Sequence, residues 1–306
     1  MAERRLAMTA TNRANPGGAN ERSAVAALLA AAFVWGVIWY PYRWLRDAGL
    51  DGPAAAAATY GTALLIGLLT FRRSLAAFRP DGRQILALLL LAVAAGGCNL
   101  GYVLASLHGE VVRVLLLFYL APVWTVFLAR LLLGERLTAK GGAVVLLALA
   151  GAMTMLWQPQ LGWPAPQGVA DWLGLGAGFS FAAFNVLSRR IVRVPIEVKT
   201  LSAFSGVLLL GLALLGSGFG HMRWPADPLV WVMIPVLGAT LVVINLVVQH
   251  GLARLEANRA VVIMLSELGF AALSSWWLAD EMMSARASLG GAMIVVATLL
   301  SARRMA

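Results

Sequence analysis

Apolar blocks of about twenty residues alternate along the chain with short polar joints, and twenty residues is the length of a helical bilayer crossing. Ten such blocks stand out, at Ala24–Leu45 and then at 53–71, 84–105, 110–132, 138–157, 171–189, 198–216, 228–251, 257–278 and 284–302. No stretch shows the period-two alternation that a transmembrane barrel requires. The pattern predicts an all-α, polytopic membrane protein with ten transmembrane helices. Residues 1–23 are polar, contain four arginines, and read as a disordered cytoplasmic tail. A basic start before an apolar run resembles a signal peptide, but this run is long and nine similar ones follow it.

The blocks repeat. Shifted by 146 residues, the first half meets like charges in the second: Arg43 and Arg189, Asp51 and Glu197, Asp81 and Asp227, Glu110 and Glu256, Arg113 and Arg259, Glu135 and Glu281, Lys140 and Arg286. Asn99 and Asn245, Thr138 and Ser284, and Trp35 and Phe181 fall on the same offset. So many matches at one offset indicate an internal repeat. The predicted organisation is a first repeat over 24–157, an external linker over 158–170 and a second repeat over 171–302. Each repeat holds an odd number of spans, so the second enters the membrane from the opposite side. An inverted repeat of this kind places a site near the midplane between its halves and supports two nearly equivalent conformations, one open to each side.

Charge sets the orientation. With the amino terminus in the cytoplasm, the inner joints and tails hold 19 of the 24 Lys and Arg residues, and the outer ones hold 5. This positive-inside bias predicts cytoplasmic amino and carboxyl termini. It also accounts for the net charge of +10 without a nucleic-acid partner. Trp157, Trp163, Trp172, Trp224, Trp231, Trp276 and Trp277 all fall at span ends on the outer side, where an aromatic belt belongs. The single cysteine, Cys98, lies inside a span, which rules out a disulfide framework or a CxxC metal site.

LAPVWTVFLARLLLGERLT, its echo SELGFAALSSWWLADEMMS, and the openings AAFVWG and GFSFAAFNVLSRR resemble paired EamA domains of the drug/metabolite transporter superfamily, over about residues 24–302. Within that superfamily the length, the tryptophan-rich first helix and NVLSRR are most similar to the bacterial aromatic amino-acid exporters of the YddG type. The resemblance implies a bacterial inner-membrane protein exporting neutral, especially aromatic, amino acids through a central cavity. The second copy departs from the first at Leu268, which stands where Pro122 stands.

Several polar residues lie at membrane depth, where they require a partner or a cavity. Glu267, with Ser266 beside it, is about ten residues into its span. It is read as a counter-charge for a substrate ammonium or a proton site; the alternative is a neutral acid joining two helices. Asn99, Asn185, Asn245 and Gln249 are amides that either bind the two charged ends of a zwitterion or fasten helices together. Trp35, Trp39, Tyr102, Phe118, Tyr119, Trp124 and Phe179 lie too deep for the belt, and as a set they suit a lined cavity that stacks on aromatic side chains. Packing between helices is the alternative for each. Glu110 with Arg113, and Glu256 with Arg259, are i,i+3 pairs at opposite faces that either act as gates, one per side, or are snorkelling interfacial charges worth very little.

Pro122 and Pro235 interrupt spans and free carbonyls. Gly97 and Gly101 suit close helix packing, and Gly174, Gly176 and Gly178 lack the preceding strand of a nucleotide-binding turn. No Walker loop, nucleophile elbow or HExxH is present, and no soluble insertion is large enough for a catalytic domain. The expectation is a carrier without metal or cofactor, whose partners are amino acids and the lipid bilayer, and whose oligomeric state is open but compatible with a monomer. Proton-driven efflux of cationic drugs or other small metabolites is the rival reading. Small pumps of that superfamily use an acid in the first helix, and Ala24–Leu45 has none.

Overall fold

The computed structural model describes residues 16–109, 111–157, 166–220, 222–279 and 284–302. Its described residues form fourteen helices. They are α1 (Pro16–Val37), α2 (Trp39–Asp47), α3 (Gly52–Thr70), α4 (Arg72–Ala77), α5 (Gly82–His108), α6 (Val111–Phe118) and α7 (Ala121–Leu133) in the first half. The second half contributes α8 (Ala139–Leu156), α9 (Val169–Arg190), α10 (Ile196–Gly216), α11 (Pro228–Leu252), α12 (Ala257–Met264), α13 (Ser266–Ala279) and α14 (Ala285–Ala302) when counted from the fifth span onward. Together they supply ten segments long and apolar enough to cross a membrane, in the places the apolar blocks predict, except that α1 begins at Pro16, so residues 16–23, expected as part of a disordered tail, are helical. In hydrocarbon every peptide group must find its partner inside the segment, which is why such blocks become helices. The chain is a multi-pass membrane protein.

The polar joints set where helices start. Asp51 accepts from the Ala54 amide at the head of α3, and Asp81 with Gln84 forms a reciprocal capping box on α5. Thr138 caps α8 through the Gly141 amide, Asp227 caps α11 through Leu229, and Ser284 accepts from the Ala287 amide. A capping side chain satisfies one of the amides that the first turn leaves unbonded. Two of the repeated polar pairs, Asp81 with Asp227 and Thr138 with Ser284, are therefore helix caps doing the same job in each half.

The packing repeats as well. Exchanging each span for the one five places on carries α5–α9 onto α11–α1, α5–α10 onto α11–α3, and α7–α9 onto α13–α1. The contacts α3–α10 and α8–α14 are carried onto themselves. Small residues permit the close crossings: a side chain on Gly97 would meet Ser180 and one on Gly101 would meet Ala177, so the pair packs α5 against α9. Cross-loop contacts join only joints that the charge count puts on one side. Leu50 bridges Met222, and the Arg223 amide donates to the Gly49 carbonyl.

Two spans are broken, at matching places. The fourth parts at Tyr119–Leu120 between α6 and α7, and the ninth at Leu265 between α12 and α13. In the fourth, Pro122 has no amide for the Phe118 carbonyl and its ring crowds that carbonyl. The ninth breaks without a proline: Leu268 holds that position, and the helix is loosened by hydroxyls instead. Ser266 Oγ donates to the Ile263 carbonyl at 2.7 Å and Thr298 Oγ1 to the Val262 carbonyl at 3.4 Å. The fourth and ninth spans thus both break, with a proline at one break and hydroxyls at the other.

Candidate functional site

The two breaks face each other. Between them lies a cavity lined by Phe118, Tyr119, Ala121 and Pro122 from the fourth span, Phe181 from α9, and Val261, Met264, Leu265 and Glu267 from the ninth. A broken helix exposes backbone and re-aims side chains at mid-membrane, which unbroken helices do not. Apart from Glu267 the lining is apolar or aromatic. Phe118 is the hub, with ring centroids 5.6 Å from Tyr102, 5.2 Å from Tyr119 and 5.7 Å from Phe181. The cavity has room for little more than a water molecule, so admitting any larger solute requires the halves to part.

Glu267 receives a long hydrogen bond, 3.4 Å, from the Tyr119 hydroxyl, and no described cation pairs with it. A carboxyl so placed can bind a cationic group or a proton, and its one partner is weak enough to exchange.

The remaining residues singled out by sequence divide into those near this point and those elsewhere. Asn99 Nδ2 donates to the Tyr60 hydroxyl at 3.2 Å and leaves its Oδ1 buried without a partner. Trp39 Nε1 donates to Ser274 at 2.9 Å, tying the first span to α13, and Ser274 in turn donates to the Gly36 carbonyl. Trp35 packs among apolar residues of α1 and α11. Trp124 and Phe179 make an edge-to-face pair at 5.6 Å with Phe179 exposed, so neither lines the cavity. Asn245 is turned back onto its own helix, donating to the Leu241 carbonyl. Asn185 and Gln249 are buried beyond the cavity, near the carboxyl-terminal end of α9, and Ser266 is spent on the Ile263 carbonyl. Phe181 carries the apolar lining as much as Phe118 does; its one sequence signal was its place opposite Trp35 in the repeat.

Ion pairs stand near both ends of the spans, though not the expected ones. Arg113 Nε lies 2.8 Å from Asp171 Oδ2, both side chains about nine-tenths buried, and the Gln167 amide donates to the same oxygen. Glu110, the expected partner, is outside the described residues. At the other end Arg189 lies 3.0 Å from Glu135, whose oxygens also accept from the Ala257 amide at the head of α12. Arg259 does not pair with Glu256. It engages Glu21 at 2.6 Å and the last carbonyls of α14, Ser301 and Ala302. The reason is local: Glu256 is the extended residue before α12, while the carboxyl-terminal end of α14 offers a cation both carbonyls and a favourable dipole. Asp171 and Arg189 sit in the first and last turns of α9, roughly 27 Å apart along it, so the fourth span is pinned to α9 at both ends.

Comparison with known proteins agrees with this picture. Residues 22–157 match the EamA-like transporter family. Protein RarD of Salmonella typhimurium is 24% identical over 200 residues, 63% of this chain and 65% of that protein, so the match spans just under two thirds of its length. Protein RarD of Escherichia coli is 24% identical over 195 residues, 63% of this chain and 62% of its own, and the chloramphenicol-sensitive protein RarD of Pseudomonas aeruginosa is 26% identical over 145 residues, 45% and 43% respectively. A solved crystal structure has the same fold, with TM-score 0.74 at 19% identity, covering 91% of this chain and 97% of its own. Residues 22–157 are therefore similar to the EamA-like transporter family, and the chain is similar to the RarD proteins.

Proposed function

We propose that the protein exports neutral, chiefly aromatic, amino acids across a bacterial inner membrane by alternating access. The observation that carries this reading is the cavity itself: one unpaired carboxyl, Glu267, among the rings of Phe118, Tyr119 and Phe181, at the meeting of two broken helices. An ammonium beside an acid and an aromatic side chain against those rings match such a lining. In this scheme the halves are threaded in opposite senses with both termini cytoplasmic. Arg113–Asp171 closes the outer face, and Glu135–Arg189 with the head of α12 closes the inner. The conformation described has both closed. Releasing one at a time admits or discharges the solute, and energy comes from a substrate or ion gradient.

Proteoliposome flux tests it. Labelled phenylalanine, threonine, chloramphenicol and a lipophilic cation are compared, each with and without a pH gradient. Phenylalanine flux well above empty vesicles, with threonine slower, is the expected result. Flux of the cation alone, dependent on the pH gradient and lost in Glu267→Gln, would move the protein to the cationic-drug class. Chloramphenicol is included because a relative's name refers to it and because a flat neutral aromatic also suits the rings.

A further inference from the structure

Ser188, on the last turns of α9, is a junction outside the cavity. It stands two turns beyond Phe181. Lys199 Nζ on the first turn of α10 donates to the Ser188 carbonyl at 2.7 Å, and the Ser188 hydroxyl donates to Gln249 Oε1 on α11. Asn185, three residues earlier on α9, shares the face of Ser188. The side chains of Lys199, Gln249 and Asn185 are all more than nine-tenths buried, Lys199 being 3% exposed.

What remains unused in this corner is mostly donor, the acceptor-capable exceptions being the uncharged Thr200 Oγ1 and Asn258 Oδ1. Gln249 Nε2, Asn185 Nδ2 and Arg189 Nη1 are buried with no acceptor, and Lys199 spends one of its three N–H groups. Turning either amide over leaves the two cations' spare N–H groups, so the excess stands. Of the nearby acids, Glu135 is taken by Arg189 and α12, and Glu197 forms no ion pair among the described residues. The Lys199 ammonium therefore has no ion-paired carboxylate. A buried ammonium with no counter-charge is strongly disfavoured.

We infer that the corner where α9, α10 and α11 meet at Ser188 binds a carboxylate, held by Lys199, Gln249 and Asn185. One ammonium and two planar amides fit a monoanion with two oxygens better than a dianionic phosphate. These three donors are also one-sided. The positions 146 residues before Asn185, Ser188, Lys199 and Gln249 are Trp39, Tyr42, Pro53 and Val103, which carry no charge, whereas Arg189 repeats Arg43. An otherwise repeated architecture thus recognises an anion at one end only, the end rich in arginine. Its use as a loading site for a substrate carboxylate rests on the export reading; the ligand class rests on the donors alone.

The test is thermal unfolding of the full-length protein in detergent with 3-phenylpropionate, its carboxamide, phenethylammonium or inorganic phosphate. The carboxylate is expected to raise Tm in a concentration-dependent way, the carboxamide and ammonium are not, and Lys199→Met is expected to weaken the carboxylate response at least tenfold. Lys199→Arg should retain part of it. If Lys199→Met does not fold, Gln249→Leu and Asn185→Leu carry the comparison. Equal responses to carboxylate and carboxamide, an undiminished response in the variants, or a stronger response to phosphate would each overturn the assignment. A carboxylate response in a protein without amino-acid flux would sink the export proposal and keep this one; flux without the response would do the reverse.

Discussion

Gly178 on α9 lies against the carbonyl oxygen of Phe118, so closely that a Cβ on the glycine would stand 2.4 Å from that oxygen. Pro122 supplies no amide for this carbonyl, and the bare glycine lets the broken fourth span rest directly on α9. Gly174, one turn earlier, faces the Val114 carbonyl less tightly, at 3.1 Å from an added Cβ. The glycine series is thus a packing surface for a broken helix.

Gly178→Ala should therefore force the fourth span and α9 apart and destabilise the protein by about 1–3 kcal/mol. Gly176 has open space around it, and Gly176→Ala should stay within about 1 kcal/mol of the parent. Thermal unfolding of the two variants in one detergent reads the contrast. Equal losses would mean that the contact with Phe118 is not what matters.

Asp171→Asn leaves Arg113 buried beside a neutral group. Removing one partner of a buried pair typically costs about 3–5 kcal/mol, so a large fall in Tm and loss of transport are expected. The exchange Arg113→Asp with Asp171→Arg should recover part of both. If the single variants unfold and transport like the parent, the pair is no gate.

Glu135→Ala removes the partner of Arg189 and the acceptor for the Ala257 amide. Loss of an acceptor at a helix head typically costs about 0.5–2 kcal/mol. In a Cys98→Ser background, a cysteine at position 257 should react faster with an impermeant maleimide once Glu135 is gone. Unchanged labelling would leave the inner closure to other contacts.

Phe181→Ala should lower phenylalanine flux more than threonine flux, because a ring contact is worth about 0.5–1.5 kcal/mol and threonine makes none. A selectivity shift of up to about tenfold is the measurable outcome. Equal effects on both would place Phe181 in the packing rather than in recognition.

How far the sequence reaches is clearest at the two broken spans. Pro122 announces the first break, and the 146-residue repeat points to the second. Ser266 is its one local mark, since Leu268 is an unremarkable helix former and the hydroxyl of Thr298 comes from another span. The gates show the same divide. Arg113 and Arg259 are legible as interfacial charges, but their partners, Asp171 and Glu21, are 58 and 238 residues away. Among the aromatic residues, depth in a span was readable, whereas the face that meets the cavity was not, and Trp124 and Phe179 turn elsewhere.

By itself the sequence determined the ten spans and the 146-residue repeat of like residues, because lipid leaves a long apolar segment one way to satisfy its backbone. The tertiary structure decided which side chains meet. Ion pairs across spans, the cavity between two breaks, and the donors gathered at Ser188 depend on how each helix is rotated about its axis. In a span apolar on nearly every face, no sequence period records that rotation; only packing against the neighbouring helices sets it.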